Sequence, residues 1–145
     1  MDQAELDRIQ HSFEAQSMMH TLGAELASVR TANVTIKAPI LPGSRQQQGF
    51  AHAGLTFAIG DSAAGYAALT TLPRDREVVT AEMKINLLAP ALGDYLIAKG
   101  RIIKAGRQLI VVAADVYAVT GTHERHIAAL QGTMVPVPAT PQSPA

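Results

Sequence analysis

One ionisable side chain stands alone in the least polar stretch of the chain. It is Asp61, inside Gly54–Leu72 (GLTFAIGDSAAGYAALTTL). An ionised carboxylate among apolar residues is expensive unless it is hydrogen-bonded or faces a polar cleft. Two uses fit. Asp61 is a general base or nucleophile in a cleft, or it is a structural acceptor for backbone N–H groups. His52 lies nine residues earlier and has the same two readings: a partner in chemistry, or a loop histidine beside a helix N-terminus. The other histidines, His11, His20, His123 and His126, show no metal-ligand spacing and read as surface or core residues. The sequence has no cysteine, which excludes disulfides, thiolate nucleophiles and Cys-ligated metals. It has no glycine-rich phosphate loop, no G-x-S-x-G elbow and no metal motif. We therefore expect no metal and no bound cofactor.

The element that must carry Asp61 is helical by its pattern. Leu55, Ala58, Ile59, Ser62, Tyr66 and Leu69 recur at three- and four-residue spacings. A helix this apolar has to be buried on most of its surface. Gly60 and Gly65 weaken it by about 1 kcal/mol each against alanine, so other backbone should pack closely there. The stretch is long enough to span a membrane, but Ala, Gly and Thr are weakly apolar and a central Asp costs about 2.5–3.5 kcal/mol. We expect no membrane span.

Ahead of this helix, Asp2–Met19 reads as an amphipathic helix with Leu6, Ile9, Phe13 and Met18 on one face. Ala24–Ala38 reads as two short strands or one bent one, with Val34, Ile36 and Ala38 alternating against Thr35 and Lys37. Ser44–Ala51 (SRQQQGFA) is a polar loop leading into the central helix. Beyond Pro73–Arg76 the period changes to two. Val78–Leu88, Tyr95–Lys104, Gln108–Val119 and Arg125–Val135 read as strands in a meander, with a tight turn at Ala105-Gly106 and another at Gly121-Thr122. The run from Pro136 is proline-rich. We place one domain at residues 1–137 and a disordered tail at 138–145. Together these elements predict an α+β fold, a curved antiparallel sheet wrapped around one long helix with an additional N-terminal helix. An exposed sheet edge invites a second copy.

The chain has 145 residues and an apolar fraction of 48%, enough for a single core. Lys+Arg and Asp+Glu are both 12, which leaves no footprint for nucleic-acid binding. The opening MDQAELDRIQ is charged and has no hydrophobic core of a secretion signal. With the missing cysteine, this fits a cytoplasmic protein.

The run AHAGLTFAIGDSAAGYAA resembles the HGG-x6-D signature at the start of the helix in PaaI-like hotdog-fold acyl-CoA thioesterases. The stretches MKINLLAPALGD and IIKAGRQLIVVAADVYA are similar to that family's P-x-x-G-D/E segment and its basic–Gly–basic hairpin. The resemblance covers essentially Leu22–Val135 and implies hydrolysis of an acyl-CoA to the free acid and CoA. It implies Asp61 as general base or nucleophile, the Ala53 backbone N–H as oxyanion donor, and Gln46 holding the water or the carbonyl. Gln47 and Gln48 are alternatives for that last role. His52 would bond near the thioester or orient the loop, and Thr80 would assist the water. Gly54 and Leu87 would touch substrate, and Leu87, Leu88 and Phe57 would line a short-to-medium-chain or aromatic acyl pocket. Ile103, Lys104, Ala105, Gly106 and Arg107 would meet the nucleotide and phosphates of CoA. The resemblance also implies a homodimer or a dimer of dimers (a homotetramer), with each active site at the dimer interface. One departure is Ala53, where the family has glycine. Alanine keeps the N–H, and catalysis survives if the backbone there does not need positive φ. That departure also favours a second reading, a non-catalytic acyl-CoA binding or sensing module on the same fold.

Overall fold

The computed structural model describes residues 1–140. The chain begins with α1 (Gln3–Glu14) and α2 (Ser17–Thr21), followed by β1 (Glu25–Arg30) and β2 (Asn33–Pro39). The central helix α3 (Ala53–Leu69) comes next, then β3 (Arg76–Leu87), β4 (Tyr95–Ala105), β5 (Ile110–Thr120) and β6 (His123–Pro138). The six strands form one sheet in the order β1-β2-β4-β5-β6-β3, and every neighbouring pair is antiparallel. The expected α+β architecture, one sheet wrapped on a central helix with helix added at the N-terminus, is the architecture observed.

Helix α3 is buried along Leu55, Ile59, Ala63, Ala64 and Ala67 because the concave face of the sheet closes on it. The contact is tightest where the helix has no bulk to offer. A Cβ built on Gly100 of β4 would lie 2.3 Å from the Ala63 carbonyl, so backbone packs directly on backbone there. Gly60 faces the Leu130 side chain of β6 at similarly close range. The small residues of the central stretch are therefore the ones that let sheet and helix approach. Asp94 ties the sheet's far end: its backbone N–H donates to the Val119 carbonyl at 2.8 Å, and its carboxylate accepts the Gly121 N–H at 3.1 Å.

Several expectations need correction. Strands β4, β5 and β6 are the consecutive antiparallel neighbours the short turns implied, but β3 does not continue that meander. It pairs with β6 and forms the far edge of the sheet, from Arg76↔Pro138 to Leu87↔Ala128. The N-terminal helix is two helices. Helix α1 ends at Glu14, Gln16 is extended, and α2 starts in a new phase, so Met19 is buried where Met18 was expected. Pro136–Pro138 belong to β6, where it runs past the end of β5 and pairs with β3 alone, so it is an edge there and tolerates proline. Residues 141–145 of the expected tail lie outside the described residues.

α1 is closed by a capping box. The Asp2 carboxylate accepts the Glu5 N–H at 2.8 Å, and Glu5 accepts the Asp2 N–H at 3.0 Å. Arg8 fixes α1 to the segment after α3 by donating to the carbonyls of Leu72 (3.2 Å) and Arg76. This pins the N-terminal helices over the C-terminal half of α3, beside Asp61.

Candidate active site

The N-terminus of α3 is built by the polar loop before it. Arg45 donates to the Ile40 and Gly49 carbonyls, both at 2.9 Å, and His52 N–H donates to the Ser44 carbonyl at 2.9 Å. His52 is the N-cap. Its backbone is extended (φ −62°, ψ 141°) and its Nδ1 accepts the Gly54 N–H at 2.8 Å. The Leu55 and Thr56 N–H groups turn back to the His52 carbonyl. The Ala53 N–H alone of the first turn has no partner among the described residues. Ala53 is exposed and lines a cavity of about 440 Å³ with Gln46, Gln48, Leu87 and Leu88. Among the described non-glycine residues only Ala32 has positive φ, so the alanine at 53 is unstrained. The departure from glycine thus leaves an unused donor in a cleft at the positive end of a helix dipole.

Gln46 is the glutamine that reaches this cavity from a half-buried position, and Gln47 is exposed. Its Oε1 accepts the backbone N–H groups of Gln48 and Phe50, and its Nε2 donates to Gln48 Oε1 at 3.2 Å. In this chain Gln46 shapes the loop and presents its amide edge to the cleft.

Asp61 lies about two turns further along α3, half-buried in a second cavity of about 240 Å³. Thr80 of β3 donates its hydroxyl to Asp61 Oδ1 at 2.8 Å. The Met134 sulfur sits 3.3 Å from the same hydroxyl. Burial pushes the Asp61 carboxyl above its ordinary value, and the Thr80 bond opposes this with a smaller effect. A base with a raised pKa, fixed in orientation, is suited to taking a proton from water. The structural reading, in which the carboxylate serves backbone N–H groups, finds no such contact among the described residues: the hydrogen bond to Asp61 comes from Thr80.

Ala53 and Asp61 do not meet within one chain. Eight residues of α-helix separate them, about 12 Å along the axis. The β4–β5 turn is a third place. Gly106 and Arg107 border an open depression with Gln108 and Leu109, and Gly106 N–H donates to the Leu109 carbonyl at 2.9 Å. A Cβ on Gly106 would lie 2.5 Å from that carbonyl oxygen, which explains the glycine. Lys104 and Ala105 close β4 and are exposed. Ile103 is the bulged residue between the Ile102↔Val112 and Lys104↔Val111 pairings. It lines a depression on the outer face of the sheet with Arg101 and Asp115 and not the depression at the turn. Phe57, expected in the acyl lining, points outward and lines none of these cavities, whereas Leu87 and Leu88 line the one at Ala53.

The sequence reading missed the far side of the Asp61 cavity. Tyr66, Ser12, Gln16 and Glu77 line it. Tyr66 reads from the sequence as one more residue of the helix repeat. A buried tyrosine, however, has a hydroxyl that needs a partner, and that was the available signal. Also unforeseen is the outer-face cluster in which Asp115 takes Arg101 at 2.6 Å and His126 at 3.0 Å. Glu82, on the same strand as Thr80, accepts the Thr133 hydroxyl at 2.7 Å. Among the described residues no group of three or more metal-ligating side chains occurs, and no helix is long and apolar enough to cross a membrane.

A long helix held in the concave face of one six-stranded antiparallel sheet, with a carboxylate at its middle, is the hotdog fold. Residues 48–124 match the thioesterase superfamily, and the chain belongs to that superfamily, as its motifs led us to expect. A thioesterase family protein from Silicibacter pomeroyi is 34% identical, with a TM-score of 0.90 over 93% of this chain and 99% of its own. The BH2602 protein of Bacillus halodurans, solved with CoA, is 26% identical, with a TM-score of 0.76 over 92% of this chain and 84% of its own. A putative esterase of Saccharolobus solfataricus is 38% identical over 69 residues. That match takes in 48% of this chain and spans 45% of the relative's length.

Proposed function

We propose that this chain is an acyl-CoA thioesterase acting on short- or medium-chain or aromatic acyl groups. The observation that carries the reading is the pair of unused groups on α3: a carboxylate held by Thr80 in a cavity, and an unpaired N–H at the helix N-terminus. Asp61 takes a proton from water, the water oxygen bonds to the thioester carbon, and the carbonyl oxygen becomes an oxyanion on the Ala53 N–H. Collapse breaks the C–S bond, and the proton on Asp61 passes to the departing CoA sulfur. Direct attack by the carboxylate is the other route open to the same group. Gln46 borders the cleft at the oxyanion end, and His52 orients Gly54 and the first turn. Lys104 and Arg107, beside the β4–β5 turn, would meet the phosphates of CoA, and the CoA found with the Bacillus halodurans relative supports CoA as the ligand.

The separation of about 12 Å supports a site shared between two copies, because oxyanion donor, carbonyl, water and base in sequence reach less than about 10 Å. β3 carries Thr80 and is one of the two edges of the sheet, with Val79, Leu87 and the following Leu88 exposed beside it. A second copy at this edge brings one chain's Ala53 toward the other's Asp61, in a homodimer or a dimer of dimers.

The test is release of free thiol from a panel of aliphatic and aromatic acyl-CoAs by the wild type and Asp61→Asn. Turnover that drops at least about a thousandfold in the variant, with CoA-ester binding kept, is the expected result. Binding without turnover in the wild type would instead identify an acyl-CoA binding module.

A further inference from the structure

The cleft at the N-terminus of α3 holds a second uncommitted group. Thr56 lines the cavity of about 440 Å³ together with Ala53, and it is only 1% exposed. A threonine hydroxyl in a helix ordinarily returns to a carbonyl three or four residues back. Thr21, Thr70 and Thr71 do so, onto the carbonyls of Ser17 (3.2 Å), Ala67 (2.7 Å) and Ala68 (2.8 Å). Thr56 does not. The His52 carbonyl behind it takes the Leu55 and Thr56 backbone N–H groups, and the Thr56 hydroxyl has no partner among the described residues. None of the described side-chain oxygens is sealed from solvent without a partner. The hydroxyl oxygen is therefore the part of Thr56 left open, and it opens onto the cavity. An unpaired hydroxyl in so closed a place costs stability, which asks for a use.

The helix aims this hydroxyl. Side chains tilt toward a helix's N-terminus, and residues three apart share a face. Thr56 follows Ala53 by three residues, so it stands one turn behind the unpaired Ala53 N–H on the same side of α3. Two donors thus converge on one cavity. Gln46 is less available: it spends its oxygen on the Gln48 and Phe50 N–H groups and an N–H on the Gln48 side chain. Leu87, Leu88 and Ile127 give the cavity an apolar lining, in which a hydrogen bond to a developing charge is strengthened. We propose that the Thr56 hydroxyl is a second donor to the thioester carbonyl oxygen, beside the Ala53 N–H. As the water oxygen bonds to the thioester carbon, the C=O π pair moves onto oxygen and both donors tighten on it. The hydroxyl keeps its proton throughout. In a site shared by two copies, Ala53 and Thr56 belong to one chain and Asp61 to the other. This rests on the thioesterase reading for the nature of the ligand.

The test replaces Thr56 in the full chain by valine, which keeps the shape without the hydroxyl, and by serine, which keeps the hydroxyl. Thr56→Val loses an unpaired buried group, so it is expected to melt no lower than the wild type. Its kcat is expected to fall at least about tenfold with KM little changed, while Thr56→Ser stays within about threefold of the wild type. A second readout needs no turnover. An acyl-CoA carrying carbon-13 at the thioester carbonyl is bound to Asp61→Asn, and its C=O stretch is followed by infrared difference spectroscopy. The bound band is expected below that of the free ester, and adding Thr56→Val should move it back toward the free value. A fall in kcat with an unmoved band would make Thr56 a packing residue and overturn the proposal, as would a serine variant as slow as the valine one. A wild type that hydrolyses nothing, with the band still answering to Thr56→Val, defeats the thioesterase reading alone. A wild type that hydrolyses acyl-CoAs, with neither kcat nor the band answering to Thr56→Val, defeats only this inference.

Discussion

Asp61 is a costly residue for the fold, and that cost is what makes it a candidate for the proposed base. Its folded pKa lies above the unfolded value because burial disfavours the charged form. The native state therefore binds this proton more tightly than the unfolded chain. The stability from this group is fully present below the unfolded value and is lost as pH rises through the folded one. Asp61→Asn escapes that loss while still accepting the Thr80 hydroxyl. Its melting temperature at neutral pH should exceed the wild type's by about 2–4 °C, and the gap should close toward about pH 4 in a thermal-melt series. A variant that melts lower at every pH would show that the carboxylate is structural. With Asp61 as the proposed base, turnover needs the carboxylate and is expected to rise with pH through a value above the ordinary Asp range. Thr80 stabilises the charged form, and Thr80→Ala should move the acid limb to still higher pH while lowering kcat about tenfold, as read from pH–rate profiles. An unmoved limb would make Thr80 an ordinary strand residue.

At the scale of elements, the proposed use of the α3 N-terminus as a site can be tested without disturbing the helix. Proline is well tolerated at the first helical position, where the N–H has no intrahelical partner. Its predecessor must be extended, and His52 already is, at φ −62° and ψ 141°. Ala53→Pro therefore removes the proposed oxyanion donor and leaves a folded chain. The expected outcome is a melting temperature within about 3 °C of the wild type and a kcat lower by about a hundredfold or more, with KM little changed. Full activity would remove Ala53 from the mechanism. The elements themselves were largely legible in the sequence. The 3.6-residue repeat around Ile59 and the alternation around Met83 each follow from which side is buried, and burial leaves its pattern locally. Of the candidate site, the sequence singled out residues that the fold joins or uses locally: Thr80 bonds Asp61, and His52 caps α3. What was not legible depends on distant partners. The placement of β3 beside β6 is a choice of long-range pairing that no local pattern encodes. Met19 replaced Met18 because a single extended residue, Gln16, resets the helical phase. The polar wall at Tyr66 joins residues some fifty positions apart, so spacing along the chain carries no trace of it.

For the whole molecule, the length of α3 decides how many chains a complete site needs. If the donor at Ala53 and the base at Asp61 serve the same thioester, they come from two copies, since about 12 Å of helix separates them in one. Such a site has a stoichiometric signature. Asp61→Asn and Ala53→Pro are each nearly inactive alone, because every site in either homodimer carries one defect. A mixed dimer has one site with both defects and one with neither. Denaturing the two variants together in equal amounts and refolding them should restore about a quarter of wild-type turnover, since half of the dimers are mixed and half of their sites are intact. A mixture no more active than its components would place donor and base of each site on the same chain, which the helix geometry could then satisfy only with a different donor. Recovery near a quarter, falling away when either variant is in large excess, would fix the active unit as a pair of chains and assign Ala53 and Asp61 to opposite sides of it.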